Sequence, residues 1–260
     1  MKGKSKIQLA LWALLFMVAI PISAYGVDGQ IKIAQTAGTT FPITINEPGS
    51  YVLTSNLIVA TGNAININAD NVTLDLNGHT IHGFYGGATE TGIYAYNRYN
   101  ITIKNGIVRG FSFGIYLYND ADHKGAGHRI EGIQASNNGS NGIYAYYSTV
   151  TNCTANRNDG DGISARYSTV TNCTANNNGS YGIDAYYSTV TNCTANNNGD
   201  DGIFARYSTV KGCNVRYNTG YGINMGSGSH NYIYRNAAGW NTAGQINCPS
   251  GNTCVDNATF

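Results

Sequence analysis

Tyrosine, arginine and one aspartate recur at matched offsets through the middle of this 260-residue chain, and they offer the most chemistry. One series is Tyr94, Tyr116, Tyr144, Ser164, Asp184 and Phe204. A second, two residues further on in each case, is Tyr96, Tyr118, Tyr146, Arg166, Tyr186 and Arg206. Aromatic side chains in a row can offer flat platforms to sugar rings, and guanidinium forks can meet the carboxylates of an acidic glycan. The same residues also have a structural use, because tyrosine favours strands and stacked Tyr and Arg stabilise a sheet by cation–π contact. Asp184 is the only carboxylate in either series. With Arg166 and Arg206 diagonally adjacent it can pair as readily as catalyse, and glycosidic hydrolysis normally uses two carboxylates facing one bond.

Other polar groups are sparser. The histidines are His79, His82, His123, His128 and His230. His79 and His82 could present two imidazoles to a metal, but no methionine or further cysteine gathers near them. Asp159 with Asp161, and Asp200 with Asp201, read as turn acids that could hold calcium weakly or stay solvated. Cys153, Cys173, Cys193 and Cys213 are spaced by 20 residues, whereas Cys248 and Cys254 enclose the short loop Pro-Ser-Gly-Asn-Thr.

What positions these groups is a repeat. Segments begin at Gly142, Gly162, Gly182 and Gly202 with a period of 20 residues and no insertion. A degenerate copy starts at Gly222, and looser ones at Gly92 and Gly114 are spaced by 22 and 28 residues. Leucine is nearly absent from the repeats, which argues against a leucine-rich solenoid, and no segment has a helical apolar period. Short alternating stretches separated by Asn, Gly and Ser predict strands instead. In each copy Gly-Ile-x-Ala turns Ile143, Ile163, Ile183 and Ile203 inward with Ala145, Ala165, Ala185 and Ala205, so the two series above face outward. A second strand turns Val150, Val170, Val190 and Val210 inward. A third carries the 20-spaced cysteines, followed by Ala155, Ala175, Ala195 and Val215. The reading is an all-β, single-domain parallel β-helix with coils of about 20 residues, in which like side chains form continuous columns. Asn138, Asn158, Asn178, Asn198 and Asn218, each four residues before a repeat glycine, suit corners. Asparagine tolerates left-handed backbone, and stacked amides can bond from coil to coil. Asn152, Asn172 and Asn192 precede the cysteines.

The segments EPGSYVL (Glu47 to Leu53), DNVTLDLNGHTI (Asp70 to Ile81) and ITIKNGIVRGF (Ile101 to Phe111), with the Gly-Ile-x-Ala coils, resemble exported prokaryotic right-handed parallel β-helix proteins of the NosD-like and pectate-lyase-like groups. The likeness covers roughly Ile31 to Asn241. It implies right-handedness, and it leaves the reaction open because that superfamily holds lyases, hydrolases, epimerases, adhesins and non-enzymes. Tyr181-Gly-Ile-Asp184 is similar to the opening of an alginate epimerase motif that continues Pro-His-Asp. Here Ala185, Tyr186 and Tyr187 follow, so that activity is not carried over. The NosD likeness makes copper a minor alternative at His79 and His82. The paired threonines Thr149/Thr151, Thr169/Thr171 and Thr189/Thr191 resemble the ranks of β-helical antifreeze proteins, a second minor alternative.

Residues 1–24 read as a secretory signal, with Lys2, Lys4 and Lys6, an apolar run from Ile7 to Ile22, and small residues at Ser23, Ala24 and Gly26; cleavage falls after Ala24 or after Gly26. The run is short for a membrane span and Pro21 marks its end. Three of the 15 basic residues lie in the signal, leaving 12 against 14 acidic ones and a formal charge of −2, which is no footprint for nucleic acid. The expected layout is an N-terminal cap with irregular coils over 27–91, regular coils over 92–241 and a C-terminal cap over 242–260. The expected protein is a secreted or periplasmic monomer without a cofactor, non-catalytic, that binds polysaccharide or serves a cell-surface role. The alternative is a polysaccharide lyase, hydrolase or epimerase centred on Asp184.

In-register cysteines have parallel Cβ vectors, whose separation stays near the ~4.8 Å between strands and exceeds the ~3.8 Å a disulfide prefers. Cys153, Cys173, Cys193 and Cys213 are therefore expected to be reduced fillers, and Cys248–Cys254 a disulfide. Thiol titration of the denatured, unreduced chain should find these four cysteines reactive; reaction at Cys248 and Cys254 as well would refute the pairing.

Overall fold

Like residues 20 positions apart lie over one another. The computed structural model describes residues 29–122, 124–226 and 229–260, so the predicted signal at 1–24 and His123 lie outside the described residues. Ile143, Ile163, Ile183 and Ile203 pair in succession in parallel register. Every described strand pairing is parallel, and the described residues contain no helix. They wind into a parallel β-solenoid of about 11 turns with coils of about 21 residues.

One coil shows the plan. Strand Ile143–Tyr146 belongs to a ten-stranded sheet, the front wall, which runs from Ile43–Ile45 to Gly244–Asn247. Strands Ser148–Thr151 and Thr154–Asn156 belong to the two limbs of a bent back wall. Ile143, Ala145, Val150, Cys153 and Ala155 are buried, as are their counterparts in the coils above. The lining thus alternates branched with small side chains, which lets the walls pack closely.

Three corners close each coil, and each has a residue at positive φ. They are Tyr147, Asn152 and Arg157 in this coil, Tyr167, Asn172 and Asn177 in the next, and Tyr187, Asn192 and Asn197 in the one after. The residue that follows each is buried and bonds to the coil above. Ser148 N–H donates to Ser168 Oγ (3.0 Å), Cys153 N–H to Cys173 Sγ (3.4 Å) and Asn158 N–H to Asn178 Oδ1 (3.1 Å). This corrects the expectation for Asn138, Asn158, Asn178, Asn198 and Asn218. Their amides do form a buried ladder, but the left-handed turn belongs to the residue before each one. Near the C-terminus all three ladders pass to asparagine: Ser208, Cys213 and Asn218 donate to the side chains of Asn231, Asn236 and Asn241, which donate in turn to Asn252, Asn257 and Gln245. Cys153, Cys173, Cys193 and Cys213 are free and buried, while Cys248 and Cys254 form a disulfide with Cα atoms 6.6 Å apart.

His128 takes the ladder place below Ser148. Its Nδ1 accepts the Ile101 N–H (3.2 Å), which assigns the ring proton to Nε2 for donation to Asn119 Oδ1 (2.9 Å). Asn119 is oriented in turn, because its amide nitrogen donates to the Arg98 carbonyl (2.9 Å). Burial lowers the His128 pKa to about 4, against a smaller opposing pull from Asp70.

Asn178→Ala removes an acceptor for both the backbone and the side-chain amide of Asn158. It should cost about 1 to 3 kcal/mol by urea denaturation, the penalty for buried orphaned donors. An unchanged midpoint would show that the corner is hydrated. His128 binds its proton less readily folded than unfolded, so its contribution is complete above pH 6.5 and is lost as pH falls towards 4, about 3 kcal/mol in all. Buried aspartates such as Asp184, with raised pKa, oppose this trend at lower pH. His128→Ser keeps a ladder acceptor and should flatten the wild-type profile between those limits; parallel profiles for the two proteins would rule His128 out as the cause.

Candidate binding face

The front wall brings the two outward series into register. Tyr94, Tyr116, Tyr144, Ser164, Asp184 and Phe204 pair in succession along one column. In the other, Tyr96 pairs with Tyr118, and Tyr146 with Arg166, Tyr186 and Arg206 in turn. The rings do not lie flat on the surface, as a platform would. Tyr94 stacks on Tyr116 (5.7 Å, 12°) and Tyr116 on Tyr144 (4.8 Å, 8°), so the faces cover one another and the edges meet solvent. In the second column Tyr96 stacks on Tyr118, Tyr118 meets Tyr146 edge-on, and Arg166 lies between the Tyr146 and Tyr186 rings (5.8 and 5.4 Å). The flat-platform expectation is corrected: strand spacing is near the thickness of stacked rings, so neighbouring rungs satisfy each other first.

Ser164 and Asp184 interrupt the aromatic column. Tyr144 keeps one face on Tyr116 and, among the described residues, meets no second parallel ring. Phe204, beyond the break, is stacked on Tyr181 (4.9 Å, 14°) with Arg206 over it (4.8 Å). Flanking side chains cover the break, leaving Ser164 3% and Asp184 7% exposed. Asp184 is therefore not the open outward carboxylate that alternation suggests. Arg206 Nη2 donates to its Oδ1 (3.4 Å). Burial pushes the Asp184 pKa up, while the charges of Arg206 and Arg166 and hydrogen bonds from Arg206 and Ser164 pull it back.

Nor is Asp184 the only carboxylate here. Asp161 and Asp201, read from sequence as turn acids, stand at the edge of the same wall. Asp161 accepts from Tyr181 N–H (3.3 Å) and Asn141 Nδ2 (3.3 Å); Asp201, buried, accepts from Tyr221 N–H (2.6 Å) and Asn224 Nδ2 (2.8 Å). Burial raises both pKa values, and Asp184 adds to the effect on Asp161. Tyr144 donates to the Tyr146 hydroxyl (3.3 Å), and burial followed by that bond pushes the Tyr146 pKa up. The break thus has a buried carboxylate, two guanidinium groups and paired phenols spread over four successive coils.

The remaining candidates stay dispersed. His82 stacks on Phe84 (5.2 Å), and among the described residues no group of three or more His, Cys, Asp or Glu is placed to hold a metal. The threonine ranks are in register on the back wall, bounded by the Arg129–Glu131 pair below and Lys211 above.

The family profile described as the right handed beta helix region matches residues 63–209, more than half of the chain. The chain belongs to that right-handed β-helix family. Among solved structures it is similar to the A-module of mannuronan C-5 epimerase AlgE4 from Azotobacter vinelandii, with a TM-score of 0.63 and 16% identity over 83% of this chain and 68% of that one. It is also similar to ORF18 of Geobacillus virus E2, with a TM-score of 0.66 and 16% identity over 86% of this chain and 51% of that one. Pectate lyase Pel9A gives a TM-score of 0.55 and 16% identity, over 87% and 62%. No curated protein matches the sequence. At such identity the likeness is one of fold alone. Among the described residues no helix is long and apolar enough to cross a membrane.

Proposed function

We propose that this chain is an exported β-helix that holds a polysaccharide against its front wall, over Ser164 and Asp184, without cleaving it. The break in the aromatic column carries this reading. Among the described residues it leaves the upper face of Tyr144 without a stacked ring, at the place where Arg166 and Arg206 stand beside the column. A pyranose on the surface over the covered break meets the outer, half-buried part of the Tyr144 ring and charged donors together, which is the combination that a sugar with one apolar face requires. The leader-like residues 1–24 and the Cys248–Cys254 disulfide support export.

One observation favours a second reading, a polysaccharide lyase or epimerase. Asp184 is buried, has a raised pKa and lies beside two guanidinium groups, with the Tyr144–Tyr146 phenol pair two rungs below it. Such a group of residues can neutralise a uronate carboxylate and move a proton.

Ser164→Tyr extends the aromatic column through the break, and tyrosine suits the strand. In affinity electrophoresis against neutral and uronate polysaccharides, the wild type should be retarded by at least one of them, and Ser164→Tyr should weaken that retention roughly tenfold or more. No product should form. Release of unsaturated or epimerised uronate by the wild type, lost in Asp184→Asn, would replace the binding reading with the enzymatic one. Failure of every polysaccharide to retard the wild type would remove both.

A further inference from the structure

The left-handed corner that precedes the asparagine ladder carries Asn137, Arg157, Asn177, Asn197, Tyr217 and Trp240 one above another. Backbone geometry alone asks only for a residue that accepts positive φ. At another corner, Asn100 and Asn71 also have positive φ and spend their side chains on each other, with a 2.9 Å hydrogen bond. Asn177 and Asn197 do not. Both are exposed, and among the described residues neither side-chain amide has a hydrogen-bond partner.

These free amides line a groove of about 500 Å³ whose floor includes Gly179 and Gly199. The glycines are required by packing, since a side chain at either would collide with the carbonyl oxygen of the coil below. The residues around them are under no such constraint. At the upper end stands Tyr217, 53% exposed, its ring stacked on Trp240 (5.2 Å, 7°), which Phe260 holds edge-on (4.9 Å). Tyr217 therefore has one face fixed from above and the other turned down the column over Asn197. Arg157 marks the lower end, three coil steps or roughly 14 Å away.

We propose that this corner groove is a second carbohydrate site, separate from the front wall, which takes a neutral oligosaccharide laid across the corner, with one pyranose ring under Tyr217 and its hydroxyls towards Asn197 and Asn177. The supported aromatic face provides the surface on which a sugar ring stacks. Each carboxamide offers donors and an acceptor side by side, matching adjacent hydroxyls that both give and receive hydrogen bonds. Apart from the ring of Tyr217 the lining is polar, which does not suit a lipid or an apolar peptide. Arg157 and Asp159 at one end balance in charge, which does not suit a polyanion.

The test is an amide NMR titration of the mature chain with cellohexaose, mannohexaose and xylohexaose. At least one should shift the side-chain NH₂ signals of Asn177 and Asn197. The double variant Asn177→Gly/Asn197→Gly keeps the left-handed backbone and both aromatic rings, yet should weaken that binding tenfold or more. Tyr217→Asn, which also tolerates the corner, should do the same, whereas Ser164→Tyr on the front wall should leave it unchanged. The proposal is overturned if no probe moves those signals at millimolar concentration, or if the double glycine variant binds as the wild type does. It is equally overturned if Ser164→Tyr abolishes the shifts, which would place the sugar on the front wall, or if only oligouronates bind. Loss of front-wall retention alone leaves this groove's result standing, so the two sites fail separately.

Discussion

Each coil of this tube turns three corners, and beyond each corner a buried peptide N–H points towards the next coil. It is met there by a side-chain atom, and the rest of the architecture depends on that contact. An aliphatic residue at such a place would orphan a buried donor, a penalty of about 1 to 3 kcal/mol repeated three times per coil. The acceptor must be short, inward and polar at its tip. Serine, cysteine and asparagine meet that requirement, and at the end of the regular coils asparagine takes over from the other two without disturbing the ladder. The cysteine column is explained on these grounds. Its sulfurs accept corner N–H groups, and the bonds between neighbouring thiols together with burial push the Cys153 and Cys193 pKa values up. His128 fills the same role with a ring nitrogen, which makes one rung sensitive to acid.

The lining of the tube was legible in the sequence because Ile, Ala, Val and Cys return every 20 residues with no insertion to blur the phase. The Cys248–Cys254 pairing was legible because its loop is short and lies apart from the repeat. Adjacent asparagines concealed the division of labour at Asn177 and Asn178: both a left-handed turn and an amide ladder suit Asn, so composition could not say which residue does which. Tyr147, Tyr167, Tyr187 and Tyr207 were hidden for the opposite reason. Tyrosine favours strands, yet these four occupy left-handed corners, where they stack face to face. The burial of Asp184 was not legible at all. Alternation says which way a side chain points, whereas its cover comes from lateral neighbours such as Arg206, Arg166 and Phe204.

Regular columns and groups with unused capacity are kept apart in this molecule. Where the columns run unbroken, side chains satisfy one another: Tyr on Tyr, Arg between rings, amide on amide. Little is then left for a ligand beyond ring edges. Departures from the pattern leave groups with capacity to spare. On the front wall, Ser164 and Asp184 end a stack of rings and draw charge to the gap. At the corner, Tyr217 follows a run of asparagines and is held from above by Trp240. Neither departure alters the backbone, because the corner contacts that fix the coil do not depend on the outward residues.

The coils that begin at Gly162 and Gly182 present nearly the same upper and lower surfaces, since each ladder residue in them meets its own kind on both sides. Recombination between such stretches can therefore remove or duplicate a whole turn and still join serine to serine, cysteine to cysteine and asparagine to asparagine. The tube can change length across generations in steps of one turn. Losing the turn that carries Ser164 would set Asp184 directly against Tyr144, so a single crossover reshapes the gap on the front wall while the lining stays continuous.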